Sequence, residues 1–233
     1  MIKIYADGAD LNKMREMADD ERIRGFTTNP TLLKKAGVTD YVAFAREALA
    51  IASGRPVSFE VLADDFADME RQARVIASWG EAAFVKIPVT NTRGESSADL
   101  IKVLSIAGVR LNVTAVFTHQ QVGEVGRALA QGSAPAVVSV FAGRIADTGC
   151  DAGAQVLVSR KELGYACPRA EMLWASPRQV YDYVLAERAG CEIITMTPDL
   201  IAKLLLLGKS LEEYSRETVC MFTEDAKASG LVL

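Results

Sequence analysis

Short apolar runs alternate with longer amphipathic stretches along almost the whole chain. The runs at 3–6, 25–27, 57–61, 83–87, 110–114, 136–140, 171–175 and 192–195 have the length and residue types of buried strands. Between them, segments such as 65–78, 96–106, 119–130 and 177–189 read as helices. Gly80, Gly108 and Gly190 stand where helices end. Strand and helix in strict alternation predict parallel strands joined by helical crossovers. Eight such units in 233 residues predict an α/β fold, a single-domain (β/α)₈ TIM barrel spanning 1–233. The competing architecture is a doubly wound open sheet. That fold carries a glycine-rich phosphate turn after its first strand, and Asp7-Gly8-Ala9-Asp10 is not that turn. After the eighth strand, helical segments are expected at 201–207 and 211–227. The stretch 210–233 exceeds what barrel closure needs and is expected to be a C-terminal helical extension making subunit contacts.

Composition narrows the class without changing the fold. Hydrophobic residues are 50% and charged residues 24% of the chain, a globular balance. A net charge of -4 argues against nucleic-acid binding, which needs a basic face, but leaves room for a small anion held by a few arginines. No apolar run approaches the roughly 20 residues that span a bilayer, so no membrane association is expected. The 4 cysteines, Cys150, Cys167, Cys191 and Cys220, have neither disulfide-framework nor metal-cluster spacing and read as reduced thiols of a cytoplasmic protein. With His119 the only histidine, no metal site is expected.

The chemistry of such a barrel sits at the C-terminal ends of its strands. Strand one ends in Asp7, strand two in Thr27-Thr28-Asn29-Pro30-Thr31, strand three carries Glu60, and strand four ends in Lys86. Strand five presents Asn112 and Thr114 on one face, and strand six Ser139 and Phe141, with Arg144 just beyond. Each has a plainer explanation. Asp7 is equally a helix N-cap, Asn29 a turn residue before proline, and a strand-end lysine usually a solvated charge. The apolar neighbours of Lys86 weaken that explanation, because an amine in low dielectric becomes a usable nucleophile. Asn112 and Thr114 lie in an apolar strand, where buried polar groups need partners. One lysine, two carboxylates and small polar groups at one barrel mouth meet the needs of Schiff-base chemistry. The amine attacks a ketone, carboxylates move protons, and the iminium serves as an electron sink.

Four segments in this order resemble motifs of the transaldolase family. They are Gly25-Phe26-Thr27-Thr28-Asn29-Pro30-Thr31, Val85-Lys86-Ile87-Pro88, Leu111-Asn112-Val113-Thr114-Ala115-Val116-Phe117 and Val138-Ser139-Val140-Phe141-Ala142-Gly143-Arg144-Ile145-Ala146-Asp147. The likeness is to the short branch of small transaldolases and fructose-6-phosphate aldolases. It implies Lys86 as the Schiff-base lysine, Asp7 as acid/base for carbon–carbon cleavage, and Glu60 as the proton carrier of imine formation. Thr28, Asn29, Asn112, Thr114, Ser139 and Phe141 fall among its substrate-binding positions, and Arg144 matches a phosphate-binding arginine. The resemblance also implies sugar-phosphate substrates, no cofactor, and a homo-oligomer built as a pentamer or decamer.

Within the branch, aldolases resemble one another in having Gln at the Glu60 position and Tyr at the Phe141 position, and in lacking the strand-five Asn. This chain therefore resembles the transaldolases, which move a dihydroxyacetone unit from a ketose phosphate to an aldose phosphate. An aldolase releasing free dihydroxyacetone is the alternative, and a non-catalytic ring protein binding a sugar phosphate is a third. Three departures from the family pattern stand out. Ala175-Ser176-Pro177-Arg178 lacks three residues that include the second phosphate-binding cation, leaving Ser176 and Arg178 as candidates for that end. Val140 replaces a proline. Trp174 stands where a small residue is usual and is expected to narrow the pocket.

Overall fold

A computed structural model describes residues 2–230. Eight parallel strands close into a barrel in sequential order. They are β1 Lys3–Asp7, β2 Ile23–Thr27, β3 Val57–Glu60, β4 Ala83–Pro88, β5 Leu111–Val116, β6 Ala136–Val140, β7 Glu171–Trp174 and β8 Ile193–Met196. β1 pairs with both β2 and β8, which closes the sheet and leaves no edge strand. The helices are α1 Leu11–Ala18, α2 Pro30–Lys35, α3 Tyr41–Ala52, α4 Phe66–Ala77, α5 Ala98–Ile106, α6 His119–Leu129, α7 Ala142–Asp147, α8 Ala152–Ala166, α9 Tyr181–Arg188, α10 Pro198–Lys203 and α11 Leu211–Ser229. Side-chain oxygens of Asp10, Asp40, Asp65 and Asp151 cap α1, α3, α4 and α8, which fixes where each crossover leaves its loop.

Alternation along the strands separates two apolar layers. Val85, Ile87, Val113, Val138 and Trp174 are fully buried on the side that meets the helices. Tyr5, Phe84, Val137, Leu173, Ala175 and Ile193 pack together in the interior, with Phe141 against them. Tyr5 lies across Gly25 on β2: a Cβ at Gly25 would stand 2.7 Å from the ring, so only glycine leaves the ring its place. This apolar plug closes the barrel interior beneath the polar strand ends.

All eight expected strands are present. The helix expected at 177–189 begins instead at Tyr181, because Pro177 and the short loop after β7 are spent on a bend in which Ser176 has φ +58. β5 has a register irregularity between Val113 and Val116, where Ala115 takes φ +56. Close packing separates a unit ending at Ile201 from a unit beginning at Ala202, earlier than the expected boundary at 210. Within the second unit, a 3₁₀ turn at Leu204–Leu206 precedes α11. The 19 residues of α11 include no buried one, and Leu211, Tyr214, Val219, Met221 and Phe222 are exposed apolar positions on it. Among the described residues, no helix is long and apolar enough to cross a membrane.

Candidate active site

Lys86 is the register partner of Glu60 on β3 and of Asn112 on β5. It shares the inward face with Phe84, and it is only 6% exposed. Its Nζ lies 3.3 Å from Glu60 Oε2 and donates to the main-chain carbonyl of Thr28 at 2.8 Å. Glu60 is held from behind, since the hydroxyl of Tyr41 on α3 donates to the Glu60 carbonyl at 3.1 Å. Tyr41 itself is fixed by edge-on contacts with Phe59 and Trp79. A buried amine beside a carboxylate, both anchored by strands and helix, has the geometry that a nucleophile–base pair requires.

Asp7 is not a helix cap, because Asp10 caps α1. The Thr27 hydroxyl donates to Asp7 Oδ1 at 2.8 Å and is itself hydrogen-bonded to the Thr195 hydroxyl. Burial pushes the Asp7 carboxyl above the usual carboxylate range, with the Thr27 hydrogen bond and the Lys86 charge pulling it back and Glu60 adding to the rise. A cleft of about 240 Å³ opens beside Asp7, bounded by Lys13 and Met17 of α1, Leu32 and Lys35 of α2, and Pro198.

Asn112 and Ser139 meet each other beneath the lysine. Ser139 Oγ donates to Asn112 Oδ1 at 2.7 Å, and Asn112 Nδ2 donates to Ser58 Oγ at 3.0 Å. Thr114 is 1% exposed and its hydroxyl has no hydrogen-bond partner among the described residues. A buried hydroxyl without a partner is uncommon, and here it belongs to the same inward row as Asn112. Asn29 caps α2, accepting from Leu32 N at 3.0 Å, which engages its oxygen and leaves its amide N–H groups as the ones with bonding capacity.

The structure places three of the residues singled out in the sequence away from the expected contacts. Thr28 does not offer its side chain to the mouth: it is fully buried, and its hydroxyl donates to the Ser58 carbonyl at 2.9 Å. Alternation puts Thr27, in line with Gly25, on the inward face instead. Arg178 is turned away to Asp147 at the end of α7, with Nε 3.2 Å from each carboxylate oxygen and Nη2 2.5 Å from Oδ2. Trp174 does not narrow the pocket. It alternates with the interior residues Leu173 and Ala175, which places its fully buried ring on the helix-facing side.

At the β6 end, Phe141 packs on the interior cluster and on Phe117, and the Arg144 guanidinium lies 5.3 Å from the centre of the Phe141 ring. Ser176, half-buried, follows β7, and its carbonyl lies so close to Gly143 that any Cβ there would collide. Sequence reasoning gave no role of their own to Thr27, Ser58, Thr195 and Tyr41. Thr27, Ser58 and Thr195 carried a signal in their inward strand parity; Tyr41 carried none short of the folded chain.

Residues 4–231 match the Transaldolase/Fructose-6-phosphate aldolase family. A protein of Dehalococcoides mccartyi named "Probable transaldolase" is 31% identical over 207 residues, 88% of this chain and 90% of that protein. A protein of Brucella anthropi with the same name is 32% identical over 216 residues, 91% of this chain and 94% of the other. The tryptophan synthase alpha subunit of Campylobacter jejuni superposes with a TM-score of 0.52 at 14% identity, covering 83% of this chain and 85% of that one, a likeness of barrel fold alone. The inward lysine of β4 and the carboxylates beside it thus sit in a chain matched to one family over nearly its whole length, and the chain belongs to the transaldolase/fructose-6-phosphate aldolase family.

Proposed function

We propose that the chain is a Schiff-base transaldolase in which Lys86 carries a dihydroxyacetone unit from a ketose donor to an aldose acceptor. The observation that carries this reading is the buried Lys86 amine with Glu60 at 3.3 Å and Asp7 within electrostatic reach. Glu60 takes the ammonium proton, and the free amine adds to the ketose carbonyl. Glu60 then returns the proton to the carbinolamine hydroxyl, which leaves as water to give the iminium. Asp7 removes the proton from the hydroxyl one carbon beyond the scissile bond. That bond breaks, the aldose departs, and its electron pair passes into the enamine held on Lys86. The acceptor aldehyde enters and the steps run in reverse, Asp7 giving its proton to the new alkoxide and water releasing the product ketose. Two carboxylates in unlike surroundings, one beside the amine and one desolvated, suit these two proton duties. Thr114, with its unpaired hydroxyl, is the residue of this inward row best suited to hold the departing water. The chain acts as a homo-oligomer in this reading, with the exposed apolar positions of α11 supplying the association surface.

Borohydride reduction in the presence of fructose or fructose 6-phosphate, followed by intact mass and peptide mapping, tests it. A reduced three-carbon adduct on the peptide containing Lys86, absent from Lys86→Ala and Lys86→Arg, is the expected result. An adduct that persists in Lys86→Ala rules the assignment out.

A further inference from the structure

The hydrogen bonds that begin at Asp7 run on into the barrel wall. β1 lies between β2 and β8, and each of these flanking strands turns a threonine into the interior. Thr27 is the register partner of Asp7, and Thr195 is the partner of Tyr5, the inward residue before it. Side chains of alternate strands share a layer in such a barrel, which lets Thr27 and Thr195 meet across β1. Both residues are buried, and their hydroxyls are hydrogen-bonded to each other.

The direction of each bond follows from the protons available. An ionised carboxylate only accepts, and a hydroxyl has one proton to give. Thr27 gives its proton to Asp7 Oδ1 at 2.8 Å, so the bond between the two threonines is donated by Thr195. Thr195 thereby fixes the rotation of the Thr27 hydroxyl, and a hydroxyl that receives a hydrogen bond is the stronger donor. Burial raises the Asp7 carboxyl, and the Thr27 bond draws it back toward the ionised form. Lys86 and Glu60 bear on Asp7 from β4 and β3, and Asp10, Lys13, Lys35 and Asp199 line the cleft beside it. A change of side chain at position 195 alters none of these.

We propose that Thr195 is a positioning residue for Asp7: its hydroxyl, donated to Thr27, aims the Thr27 proton at Asp7 Oδ1 and so keeps Oδ2 for the proton of the substrate hydroxyl. The proposal rests on the Schiff-base reading and adds a residue of β8 to it. Thr195 acts through Thr27 and not on the reacting carbons.

The test uses the full-length enzyme with D-fructose 6-phosphate as donor and D-glyceraldehyde as acceptor. Thr195→Val keeps the shape of the side chain and removes the donor. It is expected to lower kcat about three- to tenfold. The acid limb of kcat/KM against pH should move up by about half a pH unit, because ionised Asp7 loses part of its support. Thr195→Ser keeps the donor and should recover most of both effects. The double variant Thr27→Val/Thr195→Val should do no worse than Thr27→Val alone, since Thr195 acts only through Thr27. A Thr195→Val enzyme with the parent's pH midpoint, whatever its rate, overturns the proposal. So does a double variant in which the two losses multiply. If Thr195→Val does not fold, Thr195→Ala set against Thr195→Ser makes the same comparison. Infrared titration of the Asp7 carboxyl, recognised as the band missing from Asp7→Asn, gives a readout that needs no turnover. An upward shift of that titration in Thr195→Val supports the proposal, and an unmoved one sinks it. If dihydroxyacetone leaves no borohydride-reducible adduct on Lys86 of the parent, the Schiff-base reading fails, and the infrared titration still decides the role of Thr195.

Discussion

Lys86 reaches from β4 to the main-chain carbonyl of Thr28, 2.8 Å away, while the Thr28 hydroxyl turns outward to the carbonyl of Ser58. The backbone just past β2, together with the Glu60 carboxylate, thus holds the amine. Thr28→Val therefore leaves the Lys86 contact in place. It should cost about 0.5–1.5 kcal/mol of stability, the usual size of one hydrogen bond, and change kcat less than threefold or so. Thr27→Val removes the donor to Asp7 and is expected to lower kcat at least about tenfold. Urea midpoints and initial rates on the two variants check this; equal kinetic losses would show that both side chains face the substrate.

Asp7 gives a prediction with a sign. Its carboxyl is raised by burial, so the folded chain binds that proton more tightly than the unfolded chain. Its contribution to stability is present below the unfolded value of about 3.9 and is lost as pH rises through the higher folded value. At neutral pH the charge is a burden. Asp7→Asn should be more stable than the parent at pH 7, by roughly 0.5–2 kcal/mol. The advantage should vanish near pH 3, where both side chains are neutral. Turnover should drop about 10²–10⁴-fold. Denaturation at the two pH values, with the parent proving the more stable at pH 7, would contradict the assignment of Asp7 as a desolvated charge.

Gly25 and Tyr5 make a steric prediction. A methyl group at position 25 meets ring carbons at 2.7 to 2.8 Å, and the ring is walled in by the interior cluster. Gly25→Ala should destabilise by about 1–3 kcal/mol, and Tyr5→Leu in the same chain should recover part of that loss. Tyr5→Phe should recover none, because the colliding atoms belong to the ring.

Phe141 bears on the balance between transfer and release. It packs on Phe117 and the interior cluster and has no proton to give. Steady turnover of a ketose donor should therefore depend on an added aldehyde. Phe141→Tyr should increase acceptor-independent release of dihydroxyacetone. A parent enzyme that releases dihydroxyacetone equally fast without acceptor is an aldolase in practice.

The barrel was legible in the sequence because each strand of a parallel sheet is an apolar run, and because glycines such as Gly108 and Gly190, both at φ +78, end helices. Lys86 was legible for the same reason: a charge inside Ala83-Phe84-Val85 has few places to go. Side-chain direction at strand ends was less so. Thr27 and Thr28 are identical in type, and parity selects between them only once the last strand residue is known. The course of Arg178 depended on how the chain enters α9, where the N–H groups of Arg178 and Gln179 donate to Asp182 inside that helix. The Thr27–Thr195 contact joins strands 168 positions apart and had no local trace.

The apolar plug of Tyr5, Phe84, Val137, Leu173 and Ile193 makes the barrel a well with one opening. Protons, water, sugar and reducing agent must all reach Lys86 from above, by the same route. An occupied mouth should then shelter the iminium it covers: borohydride trapping should slow as the acceptor is raised to saturation, even when the acceptor is too unreactive to turn over. Solvent deuterium should likewise enter the enamine carbon only between substrates, during the interval when the well stands open.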